Sequence, residues 1–177
     1  MTESDYLLKC ANEIDSHYLK VMGYNRGDEI HQQAAENAFT AELYHLLRMN
    51  QDEYDEQSEL IWHFDLNKER AKSIRPDLVL HASPDNRNDQ RIFVEIKTNS
   101  NTSDLAIQKD LEKLNNAVDI NNDAEKLGFR IGFYIVAQLS KEKIKRNLRF
   151  ISEELQSKIK VLYLDNNEFV KLELGEL

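Results

Sequence analysis

The stretch SIRPDLVLHASPDNRNDQRIFVEIKTN, residues 73–99, carries two short apolar runs, DLVL from Asp77 and RIFVEI from Arg91, joined by a polar segment. Runs of β-forming residues of this length, separated by Ser, Pro, Asp and Asn, predict two strands and a hairpin loop over SPDNRNDQ. The second run contains a glutamate and leads into a lysine; the first opens on an aspartate. Charges in apolar strands are costly to bury unless they are paired or hold a metal ion. Strand side chains alternate between faces, so Glu95 and Lys97 share one face and Ile96 points to the other. Hairpin pairing can set Asp77 beside Glu95 on that same face.

Upstream, the spacing of Leu7, Leu8, Ala11, Ile14, Tyr18 and Val21 predicts a helix from Asp5 to Met22, broken by GYNRGDE from Gly23. IHQQAAENAFTAELYHLLRMN from Ile30 predicts a second helix, with Phe39, Leu43, Leu46 and Leu47 on its apolar side, and ELIWHFDL predicts a strand. Downstream, Ile107, Leu111, Leu114 and Val118 recur at helical spacing, with Ser103 or Asp104 as the N-cap. FRIGFYIVAQL is nearly continuous in apolar residues, as expected of a strand covered on both faces. The basic segment after it predicts a helix, and KIKVLYLD a last strand. The order is helix, helix, three strands, helix, strand, helix, strand, which implies an α/β fold with a mixed sheet flanked by helices. Residues 1–177 read as one domain: a helical extension over 1–29, a core over 30–139, and a C-terminal helix and strand over 140–177.

A chain of 177 residues can bury a substantial core. Cys10 is the lone cysteine, which excludes an internal disulfide and a cysteine-based zinc site. The first residues have neither a basic segment nor an apolar run of the signal-peptide kind, and no stretch approaches the roughly 18 apolar residues of a membrane span. A cytoplasmic protein without membrane contact is therefore expected. The net charge of −9 and pI near 5.1 oppose a sequence-independent nucleic-acid coat. Charge is unevenly spread, however. QDEYDEQSE, residues 51–59, holds five acids and no base, whereas residues 140–160 hold seven bases against three acids. That basic segment is either a local positive surface or, as the commoner case, a solvated helix face.

Two carboxylates and an ammonium on one side of an apolar sheet form the grouping that metal-assisted phosphodiester chemistry needs. Mg²⁺ prefers oxygen ligands and is typically held by one or two carboxylates together with water and substrate phosphate. A neighbouring lysine can orient or help deprotonate the attacking water and counter charge that builds on the phosphate. A third acid can join them. Glu36 lies on the stripe of Phe39, Thr40, Leu43 and Leu47, whereas Glu42 falls about 120° away towards solvent. An inward acid near a helix start is either a neighbour of the cap favoured by the helix dipole or an active-site acid. Asp77 and Glu95 give it something to face, which favours the second.

Pro76-Asp77 followed, after an apolar run, by Glu95-Ile96-Lys97 resembles the PD-(D/E)XK nuclease superfamily, which includes restriction endonucleases, archaeal Holliday-junction resolvases and RecB-like nucleases. The resemblance covers residues 30 to about 139 and implies a restriction endonuclease-like core of helix, three strands, helix and strand. It further implies a Mg²⁺-dependent nuclease, with Mn²⁺ as a substitute, acting on DNA rather than RNA and leaving a 5′-phosphate. By the same resemblance Asp77, Glu95 and the backbone carbonyl of Ile96 would hold the metal. Lys97 would take the lysine role, and Glu36 that of the helix acid, acting directly or through water. Gln108, with Lys109 and Asp110 close behind, is the candidate polar residue on the following helix. Arg75 and Lys72 are candidate phosphate contacts or else solvated. A homodimer or a companion protein is a further expectation.

Other signals carry less. Five histidines are scattered without ligand spacing; His81 has the parity of Asp77, though a surface or hairpin-end position is the expectation. Trp62, Phe64, Phe133 and Tyr134 are expected in the core. Neither a phosphate-cradling glycine loop nor a nucleophile elbow is present. Two further readings stand beside the nuclease: an inactive relative that binds nucleic acid or a protein, and an unrelated α/β protein in which Glu95 and Lys97 form a solvent-facing pattern on an edge strand.

Overall fold

The computed structural model describes residues 1–15, 17–18, 29–54, 60–64, 76–81, 90–119, 128–151 and 153–172, with side chains of 29–35 left aside. The chain runs α1 (Glu3–Glu13), α2 (Glu29–Met49), the short α3 (Gln51–Tyr54), β1 (Ile61–Phe64), β2 (Leu78–His81), β3 (Gln90–Lys97), α4 (Asp104–Val118), β4 (Ile131–Val136), α5 (Lys141–Leu148), the short α6 (Glu153–Gln156), β5 (Ile159–Asp165) and β6 (Glu168–Leu172). The fold is α/β. Among the described residues six strands form one open mixed sheet in chain order, β1-β2-β3-β4-β5-β6. β1, β2 and β3 pair antiparallel; β3, β4 and β5 are parallel; β6 returns antiparallel to β5.

Strand alternation sorts the apolar residues into two cores. Leu78, Leu80, Ile92, Val94, Ile96, Phe133 and Ile135 face α1 and α2. Val79, Phe93, Tyr134, Val136 and Val161 face α4 and α5, meeting Ile107, Leu111, Leu114 and Ile144. Burying both sides explains the near-continuous hydrophobicity of β4, of which only Ile131 is less than fully buried. On the first side, the Tyr6 hydroxyl donates to the Leu47 carbonyl and accepts from Trp62 Nε1, tying α1, α2 and β1 together. Ser103 caps α4 by accepting from the Ala106 amide, as expected from its position.

Three details depart from expectation. α1 stops at Glu13 instead of running to Met22: Ile14 turns extended, and Asp15 Oδ1 accepts from the His17 amide, a local bond that competes with the helical one. Residues 19–22 lie outside the described part. A sixth strand follows Asp165, joined by Asn166 and Asn167 at φ 50° and 68°. Two consecutive left-handed residues are the geometry of a two-residue type I′ hairpin turn, which asparagine tolerates. Phe64, expected in the core, sits at the end of β1 and is 40% exposed beside Tyr44. Among the described residues no helix is long and apolar enough to cross a membrane.

Candidate functional site

Pairing of Leu78 with Val94 and Val79 with Phe93 carries the register to Asp77 opposite Glu95, and the Asp77 amide donates to the Val94 carbonyl at 3.2 Å. Both residues have the parity of Val79 and Phe93 and therefore face α4. The hairpin loop expected between the strands lies outside the described residues. β3 is not an edge strand: β2 and β4 flank it, and Glu95 is only 2% exposed. A solvent-facing charge pattern on an edge is thereby ruled out.

Four carboxylates and two ammonium groups meet at the carboxyl end of β3. Asp77 Oδ2 accepts from the Ile96 amide at 2.7 Å. Glu95 Oε2 receives Lys113 Nζ at 2.8 Å, whereas Glu95 Oε1 is buried with no hydrogen-bond partner among the described residues. Lys97 Nζ lies 3.4 Å from Asp110 Oδ2 and 3.8 Å from Glu36 Oε1. Glu36, on α2, also accepts from the Thr98 amide at 3.4 Å. Asp110 Oδ1 lies 3.4 Å from Lys113, one helical turn on along α4. With every group ionised, four negative charges against two positive leave an excess of two. The end of a strand where it passes into a loop is also where open α/β sheets bind ligands.

The electrostatics follow from that excess in a desolvated place. Burial, then the neighbouring Glu36 charge, raises Asp77 from an ordinary 3.8 to about 6, against the pull of the Ile96 amide. Burial and the facing Asp77 push Glu95 well above the usual carboxylate range. Burial also raises Glu36, with Lys97 opposing. For Lys97, burial favours the neutral amine, but Asp110, Glu36 and Asp77 outweigh it and hold the ammonium above its ordinary value. Lys113 behaves alike, through Glu95 and Asp110. Tyr134, paired with Glu95 across β3 and β4, has its hydroxyl pushed well up by burial and by the Asp110, Glu95 and Glu36 charges beside it.

Sequence reasoning thus brought Glu36, Asp77, Glu95 and Lys97 to one place, and the structure brings them there. Gln108 goes elsewhere: its amide donates to Asn147 Oδ1 at 3.2 Å, on α5. Arg75 and Lys72 lie outside the described residues. His81 is at a strand end but buried, not at the surface, its ring stacked 4.5 Å from that of His63. Lys113 was missed, and Asp110 was named only in passing. Both flank the Ile107, Leu111, Leu114, Val118 stripe at i, i+3 spacing, which is the signal that could have found them. Tyr134 passed as core because only its hydroxyl is polar.

Those groups fit a hard divalent cation in charge and in donor chemistry: oxygen donors, a negative excess when all are ionised, and a buried Glu95 Oε1 without a hydrogen-bond partner among the described residues. Among the described residues no three acids or histidines already converge as a closed cage, so any ion held here would take one or two carboxylates and complete its shell with backbone, water or substrate. No family model, curated protein or solved structure matches the chain.

Proposed function

We propose that this protein is a Mg²⁺-dependent nuclease that hydrolyses phosphodiester bonds, in DNA rather than RNA, on a restriction endonuclease-like core. The observation that carries this reading is the facing pair Asp77 and Glu95, Asp77 raised by burial and the Glu36 charge and Glu95 by burial and Asp77, with Glu95 Oε1 partnerless among the described residues while Lys113 holds Oε2. The order α2, β1–β2–β3, α4, β4 supports the core. Asp77, Glu95 and the Ile96 carbonyl would hold the ion, with Glu36 assisting through water. When bound, Mg²⁺ supplies a Lewis acid that polarises the phosphoryl group and neutralises charge on the leaving oxygen. Mn²⁺, with similar ligand preferences, would substitute.

Within this reading the chain's own residues bind and orient. Asp77 is aimed by the Ile96 amide, so its second oxygen is left for the ion. Lys97, its positive charge stabilised by three carboxylates, is suited to countering charge on the scissile phosphate and to orienting the attacking water; a general-base role would need it neutral. Asp110 and Glu36 hold that ammonium from two helices, which fixes its position before substrate arrives.

The test is cleavage of linear, circular, single-stranded and branched DNA with Mg²⁺ or Mn²⁺. The parent should cut and release 5′-phosphate ends, while chelator, Asp77→Asn and Lys97→Ala each abolish cutting. One observation favours a second reading, an inactive relative that binds nucleic acid or a protein: the Lys113–Glu95 pair partly neutralises the cluster without any ion. Binding of DNA without cutting, unaffected by Mg²⁺, would select it.

A further inference from the structure

Glu95 is the most deeply buried acid of the cluster, and a side chain occupies its one partnered oxygen: Lys113 Nζ at 2.8 Å from Oε2. Lys113 is held differently from Lys97. Lys97 lies between acids from two helices and is 20% exposed. Lys113 is 32% exposed, and its other partner, Asp110, lies on its own helix at i−3. Rotation of a long, half-open side chain exchanges Glu95 for Asp110 without moving the backbone.

Building on the reading of this cluster as a metal site, we propose that Lys113 is a built-in counter-ion that holds Glu95 in the metal-free protein and swings onto Asp110 when a divalent cation engages that carboxylate. An ammonium on Oε2 and a divalent cation on Oε1 of one buried carboxylate would lie a few ångström apart and repel strongly in a poorly solvated place, so the cation disfavours the Lys113 contact. Because Lys113 stays within the cluster on Asp110, a divalent ion sets two positive charges against the excess of two and a monovalent ion only one, which favours divalent ions. Lys113 is thus a positioning residue. It keeps Glu95 aimed while the site waits, and it weakens apparent metal affinity by competing with the cation for that carboxylate.

The experiment uses the full chain, ¹⁵N-labelled, and reads the lysine ammonium correlations by NMR while calorimetry follows Mg²⁺ binding. Lys113 is assigned by the signal missing from Lys113→Gln. The expected result is that Mg²⁺ shifts or removes the Lys113 signal in step with calorimetric saturation while K⁺ at matched ionic strength does not. In alkaline buffer, where protons compete least for the carboxylates, Lys113→Gln should bind Mg²⁺ about tenfold more tightly than the parent, equivalent to about 1.4 kcal/mol. Lys113→Arg keeps the charge and should stay near the parent. Should Lys113→Gln fold poorly, Lys113→Arg, which also lacks that lysine signal, supplies the assignment and the parent's NMR titration decides. Saturable Mg²⁺ binding with an unmoved Lys113 signal would overturn the proposal and leave the metal site standing. No Mg²⁺ binding by the parent would overturn both.

Discussion

Asp77→Asn keeps the shape of the side chain and an oxygen that can accept from the Ile96 amide, and it removes one negative charge from the cluster. Burial and the Glu36 charge hold Asp77 at about 6 in the folded protein against an ordinary 3.8. The folded state therefore binds this proton more tightly than the unfolded chain. The contribution of Asp77 to stability is full below pH 3.8, is lost as the pH rises through about 6, and is constant above that. The gap corresponds to about 3 kcal/mol at about 1.4 kcal/mol per pH unit, a ceiling because Asp77 keeps some contact with solvent. Urea unfolding in chelator should then show Asp77→Asn and the parent alike near pH 4, with the variant more stable by up to about 3 kcal/mol above about pH 6. Excess Mg²⁺ should close most or all of that gap, because an ion at a hundredfold its Kd adds about 2.7 kcal/mol to the parent and little to the variant. A variant less stable than the parent in chelator at neutral pH, or a difference that does not change with pH, would refute the electrostatic reasoning.

Three further outcomes test the scaffold. A Cβ on Gly132 would meet Leu114 Cδ2 at 2.9 Å and Val118 Cγ1 at 3.3 Å, so Gly132→Ala should cost about 1–3 kcal/mol by overpacking, read by urea unfolding and relieved in part by adding Leu114→Ala. Tyr6→Phe removes the hydroxyl that serves both the Leu47 carbonyl and Trp62 Nε1; leaving those buried groups unmet should cost about 1–3 kcal/mol, seen as a lowered Tm. Asn167→Gly relieves the left-handed second position of the β5–β6 turn and should raise Tm slightly, whereas Asn167→Val should lower it.

The strands were legible where period-2 alternation meets flanking turn residues, and that legibility extended to the site: parity within RIFVEIK put Glu95 and Lys97 on one face, and hairpin pairing offered Asp77 beside them, a placement that the register of Leu78 with Val94 fixes. Glu36 was legible for a similar reason, as an acid on an apolar helical stripe. What the sequence hid is tertiary. Lys113 carried no site signal, and Asp110 only its place close behind Gln108, until the helix is laid over the β3 end, where the same i, i+3 pair becomes a bridge to Glu95 and Lys97. Gln108, in a similar sequence context, turns instead to Asn147. β6 was hidden because EFVKL is short and its turn is Asn-Asn, a weaker signal than Asn-Gly. α1 stopped early because one aspartate side chain captures an amide, a choice that hydrophobic period does not register.

The most direct measurement is an anomalous difference map from a crystal of the parent protein grown with Mn²⁺. The account predicts a peak between the Asp77 and Glu95 carboxylates, beside the Ile96 carbonyl, with Lys97 still held by Glu36 and Asp110. A well-ordered cluster with Lys113 on Glu95 and no peak there, at Mn²⁺ concentrations that saturate other sites, would contradict it.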